Sequence, residues 1–337
     1  MTWGNIQSGG TTPGWCNRVT RAAAGTELLG EAYRGILRRC KTYSWSRMVR
    51  KAGWVVGLMM IAGSVATFPQ SDEPRPVIAG HTVERYQVGE RLATSDFSDP
   101  SEWVVQMEEK PSEHHPEIRF SRGAMDVWMP DRGVTIWYEN HFQGPIAIVY
   151  RVTAPSTRLL DDFETIMPRD INVFWNAFDP GPDGTQHLPP FDSTRFTGAF
   201  PSYNKQHGYY ASTGGGYNRT TRFRRYPRSV DGQPAAHIAL NERDGDAEYM
   251  ITPDVTYTVQ VVAARDIVQY IVDGRVVYEM QYGDEVAVEQ PGQSSGQTIY
   301  TATNYPPYSG GWFGFRLLKS HHRFTHFSVY RLEPVDA

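Results

Sequence analysis

From Asp96 to Leu332 the chain runs in short stretches that alternate apolar and polar residues, each cut off by Gly, Pro, Asp or Ser. A side-chain period of two belongs to strands with one covered face, and the 3.6-residue period of an amphipathic helix is nowhere sustained. Glu117–Phe120, Ala124–Trp128, Val134–Tyr138 and Ile146–Thr153 read as strands. Tyr257–Ala263 sets Tyr257, Val259, Val261 and Ala263 on one face, and Ile267–Val272 and Arg275–Tyr278 flank Asp273-Gly274, a two-residue hairpin turn. With Asp170–Asn176, Asn218–Tyr226, Phe313–Leu317 and Phe324–Leu332 the count reaches about eleven strands, which predicts an all-β chain: an antiparallel β-sandwich of the jelly-roll type in one domain.

The first 66 residues are different in kind. Residues 1–47 form a leader without usable periodicity. Residues 48–66 read as a signal peptide: a basic start at Met48-Val-Arg-Lys51, an apolar run from Trp54 to Ala66, and the small-residue cleavage site Ser64-Val-Ala66. The run is too short for a comfortable membrane span, so the expectation is a secreted or periplasmic protein with no stable span after cleavage. Residues 67–95 are an extended lead-in, and 96–337 the sandwich domain. Residues 1–66 hold nine of the 33 basic residues and two of the 37 acidic ones, which leaves 24 against 35 and a formal charge of −11 for the remainder. That charge argues against duplex nucleic acid as a partner. Both cysteines, Cys16 and Cys40, also fall in 1–66, so the exported part has neither disulfide nor thiolate chemistry.

Against that acidic background, Tyr209–Arg228 places five arginines just after the turn Gly214-Gly-Gly216. The strand period puts Asn218, Thr220, Arg222, Arg224 and Tyr226 on one face. A face without one aliphatic residue is either a solvated edge, charged against aggregation, or the floor of a cleft for an anion, since arginine forks hold carboxylates and sulfates in two-pronged geometry. Asp170–Asn176 presents Asn172 opposite an apolar face that includes Trp175, and Gly311–Leu317 leaves Trp312, Gly314 and Arg316 facing away from the core. Outer faces that merely meet solvent explain these patterns equally well. The long loop Pro180–Pro190 and the polar stretch Glu285–Ser309 are expected to border the cleft from two sides, with one helical turn at Ser202–His207.

The chemistry is narrowed by what is missing. Glycosidases need two carboxylates across the scissile bond, and no Glu-x-Asp-x-x-Glu run supplies them; Asp170, Asp179 and Glu139 are unpaired by spacing. β-Elimination beside a uronic acid needs a cation or amide to neutralise the carboxylate and a Tyr or His to move protons. Arg222, Arg224, Arg316 and Asn172 suit the first task, and Tyr210, Tyr203 and His321 the second. Asn218, Tyr226, Trp175 and Trp312 complete the binding set. The sequence therefore favours a polysaccharide lyase on an acidic polysaccharide, with a glycoside hydrolase of the same fold and a non-catalytic carbohydrate-binding module as alternatives. No cofactor is expected. A structural calcium ion stays open, although no Asp-x-Asp-x-Asp spacing supplies ligands for it.

Trp137-Tyr-Glu-Asn140, Asp170–Trp175, Tyr209-Tyr210 through the run Asn218–Tyr226, and Gly314–His321 together resemble a family of secreted bacterial domains of unknown function. That family is similar in turn to the concanavalin-A-like lectin/glucanase superfamily. The likeness spans about Asp96 to Leu332, departing at Ala211-Ser-Thr213. It implies a jelly roll and a place among polysaccharide-degrading systems, without fixing a reaction.

Overall fold

The structure, a computed structural model, describes residues 73–111, 113–156, 168–241 and 250–335, all within a unit that runs from Pro69 to Ala337. Residues 1–47 and 48–66, read from sequence as a leader and a signal peptide, and both cysteines lie outside the described residues. In chain order the strands are β1 (Tyr86–Ser95), β2 (Trp103–Met107), β3 (Glu117–Ser121), β4 (Ala124–Tyr138), β5 (Phe142–Gln143), β6 (Ile146–Thr153), β7 (Ile171–Phe178), β8 (His207–Gly214) and β9 (Thr220–Tyr226). There follow β10 (Ser229–Val230), β11 (Gln233–Pro234), β12 (His237–Asn241), β13 (Thr256–Ala264), β14 (Ile267–Val272), β15 (Arg275–Gln281), β16 (Glu285–Glu289), β17 (Gly296–Ile299) and β18 (Gly310–Pro334). All but the β10–β11 hairpin join one antiparallel sheet.

That sheet becomes a sandwich because β18 serves two layers. Its first part, to Leu318, pairs with β4 and β7; beyond a bulge at Lys319 (φ 48°) it continues beside β4 and then pairs with β6 and β1. One layer runs β4-β18-β7-β8-β9-β12-β16-β17 and the other β15-β14-β13-β6-β18. Between them lies the main core, where Ile171, Val173, Trp175, Ala211 and Phe223 of the first layer meet Val259, Val261, Val268, Tyr270 and Tyr278 of the second. Each large apolar side chain fully buried here contributes about 1.5–3 kcal/mol. Hydroxyl pairs tie the layers together, Thr213 to Tyr270 at 2.8 Å and Thr221 to Tyr278 at 2.6 Å. The turn at Asp273-Gly274 forms as its sequence requires, with positive φ at both residues.

The alternation in β7 implies one covered face, yet all eight of its residues are buried. The reason is a roof. Residues 179–206 fold back over the outer face of the first layer, and Phe196, Phe200 and Tyr203 pack on Trp137, Phe174 and Tyr210. Buried Gln106 fixes the roof: its carbonyl accepts from Trp137 Nε1 (2.8 Å) and the Tyr203 hydroxyl (3.0 Å), and its amide donates to the Pro190 carbonyl (3.0 Å). Asp179, the first roof residue, is almost fully buried and holds Arg195 by two bonds of 2.7 and 2.8 Å.

Three expectations need correction. Ala124–Trp128 and Val134–Tyr138 are one strand, whose ladder skips residues 130–132 at Pro130, and Phe313–Leu317 and Phe324–Leu332 are both parts of β18. Glu285–Ser309 is not a single loop, because the Val286 and Val288 side chains bury and anchor β16, which pairs with β17. The expected turn at Ser202–His207 is a 3₁₀ turn at Phe200–Lys205, while His207 opens β8.

Candidate functional site

Strand register carries two rows of side chains across the outer face of the first layer. One row is Thr135, Arg316, Asn172, Ser212, Arg222 and Asn241, on β4, β18, β7, β8, β9 and β12 in turn. The next is Trp137, Gly314, Phe174, Tyr210, Arg224 and Ala239. Neighbouring strands sit about 4.8 Å apart, so each row is a continuous ladder. The aromatic row lies under the roof. Gly314 makes room for the Trp137 ring, which a Cβ there would meet at 2.5 Å.

The polar row opens into a cavity of about 360 Å³. Its walls carry Arg169, Asp170, Asn172, Tyr210, Ser212, Tyr217, Arg222, Arg316 and Lys319, with Phe200 at the edge of the roof. Four cations therefore face one carboxylate. Asp170 stands at the entrance to β7, with Arg169 Nε 3.3 Å from its Oδ2. Burial raises the Asp170 carboxyl to about 6; Arg169, the Asn172 amide, Arg316 and Arg222 each pull it down without overcoming that burial. Arg316 is fully buried, its Nη1 donating to the Gly198 carbonyl at 2.8 Å, while its Nη2 finds no acceptor among the described residues. Asn172 Oδ1 is likewise without a donor. Burial pushes the Tyr210 hydroxyl well above the usual phenol range, so it stands as a proton donor at neutral pH. Arg224 lies 5.8 Å over the Tyr210 ring. Three wall residues that are not glycine, Asp170, Tyr217 and Lys319, hold φ of 62°, 65° and 48°. Backbone in that region costs on the order of 1 kcal/mol or more per residue, and such strain clusters at functional sites.

Of the residues singled out from sequence, the cavity gathers Asn172, Tyr210, Arg222 and Arg316. The others lie elsewhere. Trp175 is wholly in the core, its Nε1 donating to the Val262 carbonyl; the alternation that aims Asn172 outward aims Trp175 inward. Tyr203 belongs to the roof. Tyr226 is buried against Phe174 and Tyr210. Asn218 clamps its hairpin, exchanging bonds of 2.8 and 2.9 Å with the Ile251 backbone. Trp312 donates to the Glu139 carbonyl and packs beside His141, His187 and Phe191, outside the cavity walls. His321 does not join Tyr210: its Nε2 lies 3.1 Å from Asp126 on the wall of a different cavity, and adjacent His322 points into the core.

The three carboxylates weighed for hydrolysis separate in the same way. Asp179 is consumed by Arg195, Glu139 is exposed on another loop, and Asp170 alone lines the cavity. Sequence reasoning did not select Arg169, Tyr217 or Lys319. Arg169 adjoins Asp170 and was legible as a charged strand entrance; Tyr217 and Lys319 reach the cavity through backbone turns that alternation does not encode. Among the described residues no group of three or more His, Cys, Asp or Glu side chains gathers where a metal ion could be held.

Residues 129–292 match a family described as a domain of unknown function, DUF6250. The matched stretch includes every cavity residue named above except Arg316 and Lys319. No curated protein matches the chain. Among solved structures, the chain is similar to a protein of unknown function with galectin-like fold from Bacillus subtilis, at 16% identity over 73% of this chain and 98% of that one, with a TM-score of 0.48. It is also similar to the catalytic domain of PdAgaC (10% identity, 78% and 97% covered, TM-score 0.42). A third is the carbohydrate binding module CBM66 from Bacillus subtilis (10% identity, 68% and 95% covered, TM-score 0.35).

Proposed function

We propose that the cavity takes the acidic group of a polysaccharide and that the protein is a polysaccharide lyase, cleaving beside a uronic acid by β-elimination. One observation carries the reading: four cations, one amide, one carboxyl raised to about 6 and one protonated phenol line a single cavity. Arg222, Arg316 and Asn172 bind and neutralise the uronate carboxylate, which acidifies the proton on the neighbouring carbon. Asp170, ionised above pH 6, removes that proton. The electron pair left behind forms the carbon–carbon double bond as the bond to the glycosidic oxygen breaks, and the Tyr210 hydroxyl gives its proton to the departing oxygen. Transfer of the proton from Asp170 to Tyr210 through water restores both groups. This replaces His321 by Asp170 as the partner of Tyr210. A hydrolase would need a second carboxylate across the bond, and none of the described carboxylates stands opposite Asp170 in the cavity. Export, as the stretch 48–66 suggests, would bring the protein to such a substrate; among the described residues no helix is long and apolar enough to cross a membrane.

The test is to incubate the full chain with pectate, alginate, hyaluronan and heparin beside neutral glucans, following ultraviolet absorbance and new reducing ends together. Absorbance rising in step with ends, lost in Asp170→Asn and Tyr210→Phe, is the expected result. Ends without absorbance assign hydrolysis, and retention of an acidic glycan without either signal assigns a binding module; both overturn the lyase.

A further inference from the structure

We propose that Tyr217 is a stacking platform for the sugar next to the one whose acidic group enters the cavity, so that the site is built for an oligosaccharide and not for a single uronate. The inference rests on the anion reading of the cavity given above. The β8–β9 hairpin turns through Gly214, Gly216, Tyr217 and Asn218, with φ of 74°, 57°, 65° and 58°. A turn that needs only positive φ is served best by Gly or Asn, and a tyrosine there is strained. Nor does the ring serve the core: Tyr217 is 55% exposed, and it is the sole aromatic among the exposed large hydrophobic residues of the described chain. The Arg169 guanidinium lies 5.1 Å from the ring centroid.

The hairpin backbone that carries this ring is anchored on both sides of it. Asn218 is clamped to the Ile251 backbone through both ends of its amide, and Gly214 lies so close to Ile251 that a Cβ there would clash with the Ile251 side chain. The platform's backbone is therefore anchored at the cavity, with Tyr217 lining it beside Arg169 and Asp170. Sugar rings present an apolar face of C–H groups, and a flat, pre-positioned aromatic side chain binds such a face with little loss of entropy.

The experiment measures binding of the full chain to D-galacturonate and D-glucuronate and to hexasaccharides of pectate, alginate, hyaluronan and heparin, using Tyr217→Gly, Tyr217→Phe and Arg222→Ala. Tyr217→Gly should weaken the hexasaccharide about tenfold more than the monosaccharide, Tyr217→Phe should restore it, and the Tm of Tyr217→Gly should be equal to or above that of the parent because the strain is relieved. Equal losses for long and short ligands in Tyr217→Gly, with binding still abolished by Arg222→Ala, overturn the platform and leave the anion site standing. Indifference to Arg222→Ala, or no binding by the parent to any of these acids, overturns the anion site and the platform with it.

Discussion

Replacing Asp170 by Asn should make the protein more stable at neutral pH while destroying its proposed chemistry. The folded environment raises this carboxyl from an ordinary 3.8 to about 6, so between those pH values the native state binds a proton that the unfolded chain has released. Stability therefore falls as pH rises through that window, and above pH 6 the ionised carboxylate costs the full difference. A shift of about 2 units at about 1.4 kcal/mol each gives roughly 3 kcal/mol. The conversion applies because the Asp170 side chain is only 14% exposed. The amide keeps the shape without the buried charge, so Asp170→Asn should gain on the order of 3 kcal/mol at pH 8, several degrees in Tm for a domain of this size. The gain should vanish at pH 4. Urea denaturation of parent and variant at half-unit steps from pH 4 to 8 measures the difference directly. A variant that is less stable than the parent at pH 8 would show that Arg169, Arg222 and Arg316 depend on the carboxylate more than they offset its burial, and a gap independent of pH would show that Asp170 does not titrate in this range. Either result refutes the reasoning.

Three further outcomes follow from the same geometry. Elimination should rise with pH through a midpoint near 6, because the base must be ionised; a rate flat from pH 5 to 7 removes Asp170 from that role. Gly133→Ala should reduce both stability, by about 1–3 kcal/mol, and affinity for acidic ligands, since its Cβ would lie 2.7 Å from Arg316 Nη1 and from the Gly198 carbonyl oxygen; unchanged binding would mean that Arg316 does not need its present place. Arg195→Ala should cost about 3–5 kcal/mol, because it leaves buried Asp179 without its guanidinium, and should open residues 179–206 to limited proteolysis; an unaltered cleavage pattern would show that the roof is held without this pair.

The strands were legible wherever one face is apolar and the other polar. Tyr257–Ala263 and the Asp273-Gly274 turn appear where alternation puts them, and the faces of Asn172, Arg222 and Arg316 follow from the same period. What alternation cannot convey is which faces a distant loop will cover. Phe174 and Tyr226 occupy outward positions, yet Phe196, Phe200 and Tyr203 arrive from residues 179–206 to bury that face. Nor does alternation give register. Asn172 meets Arg316 only because β18 lies beside β7 with a particular offset, and no local signal specifies a pairing between residues so far apart in the chain. His321 illustrates the same limit: five residues past Arg316 and beyond the bulge at Lys319, it leaves the shared face and finds Asp126 instead.

The sharing of β18 between both layers also bears on the order in which the molecule can be made. The strand comes last among the described elements, yet it is the seam along which β4, β7, β6 and β1 are joined. Until Gly310–Pro334 is available, the hairpins β13–β14–β15 and β7–β8–β9 can form, but the two layers have no common strand, and the polar row lacks Arg316. Such long-range closure makes folding slow and late. A growing chain should thus remain without a finished core until its final strand is added, then acquire sandwich and cavity in one cooperative event, and partial products that end before β18 should be degraded instead of accumulating as half-folded species.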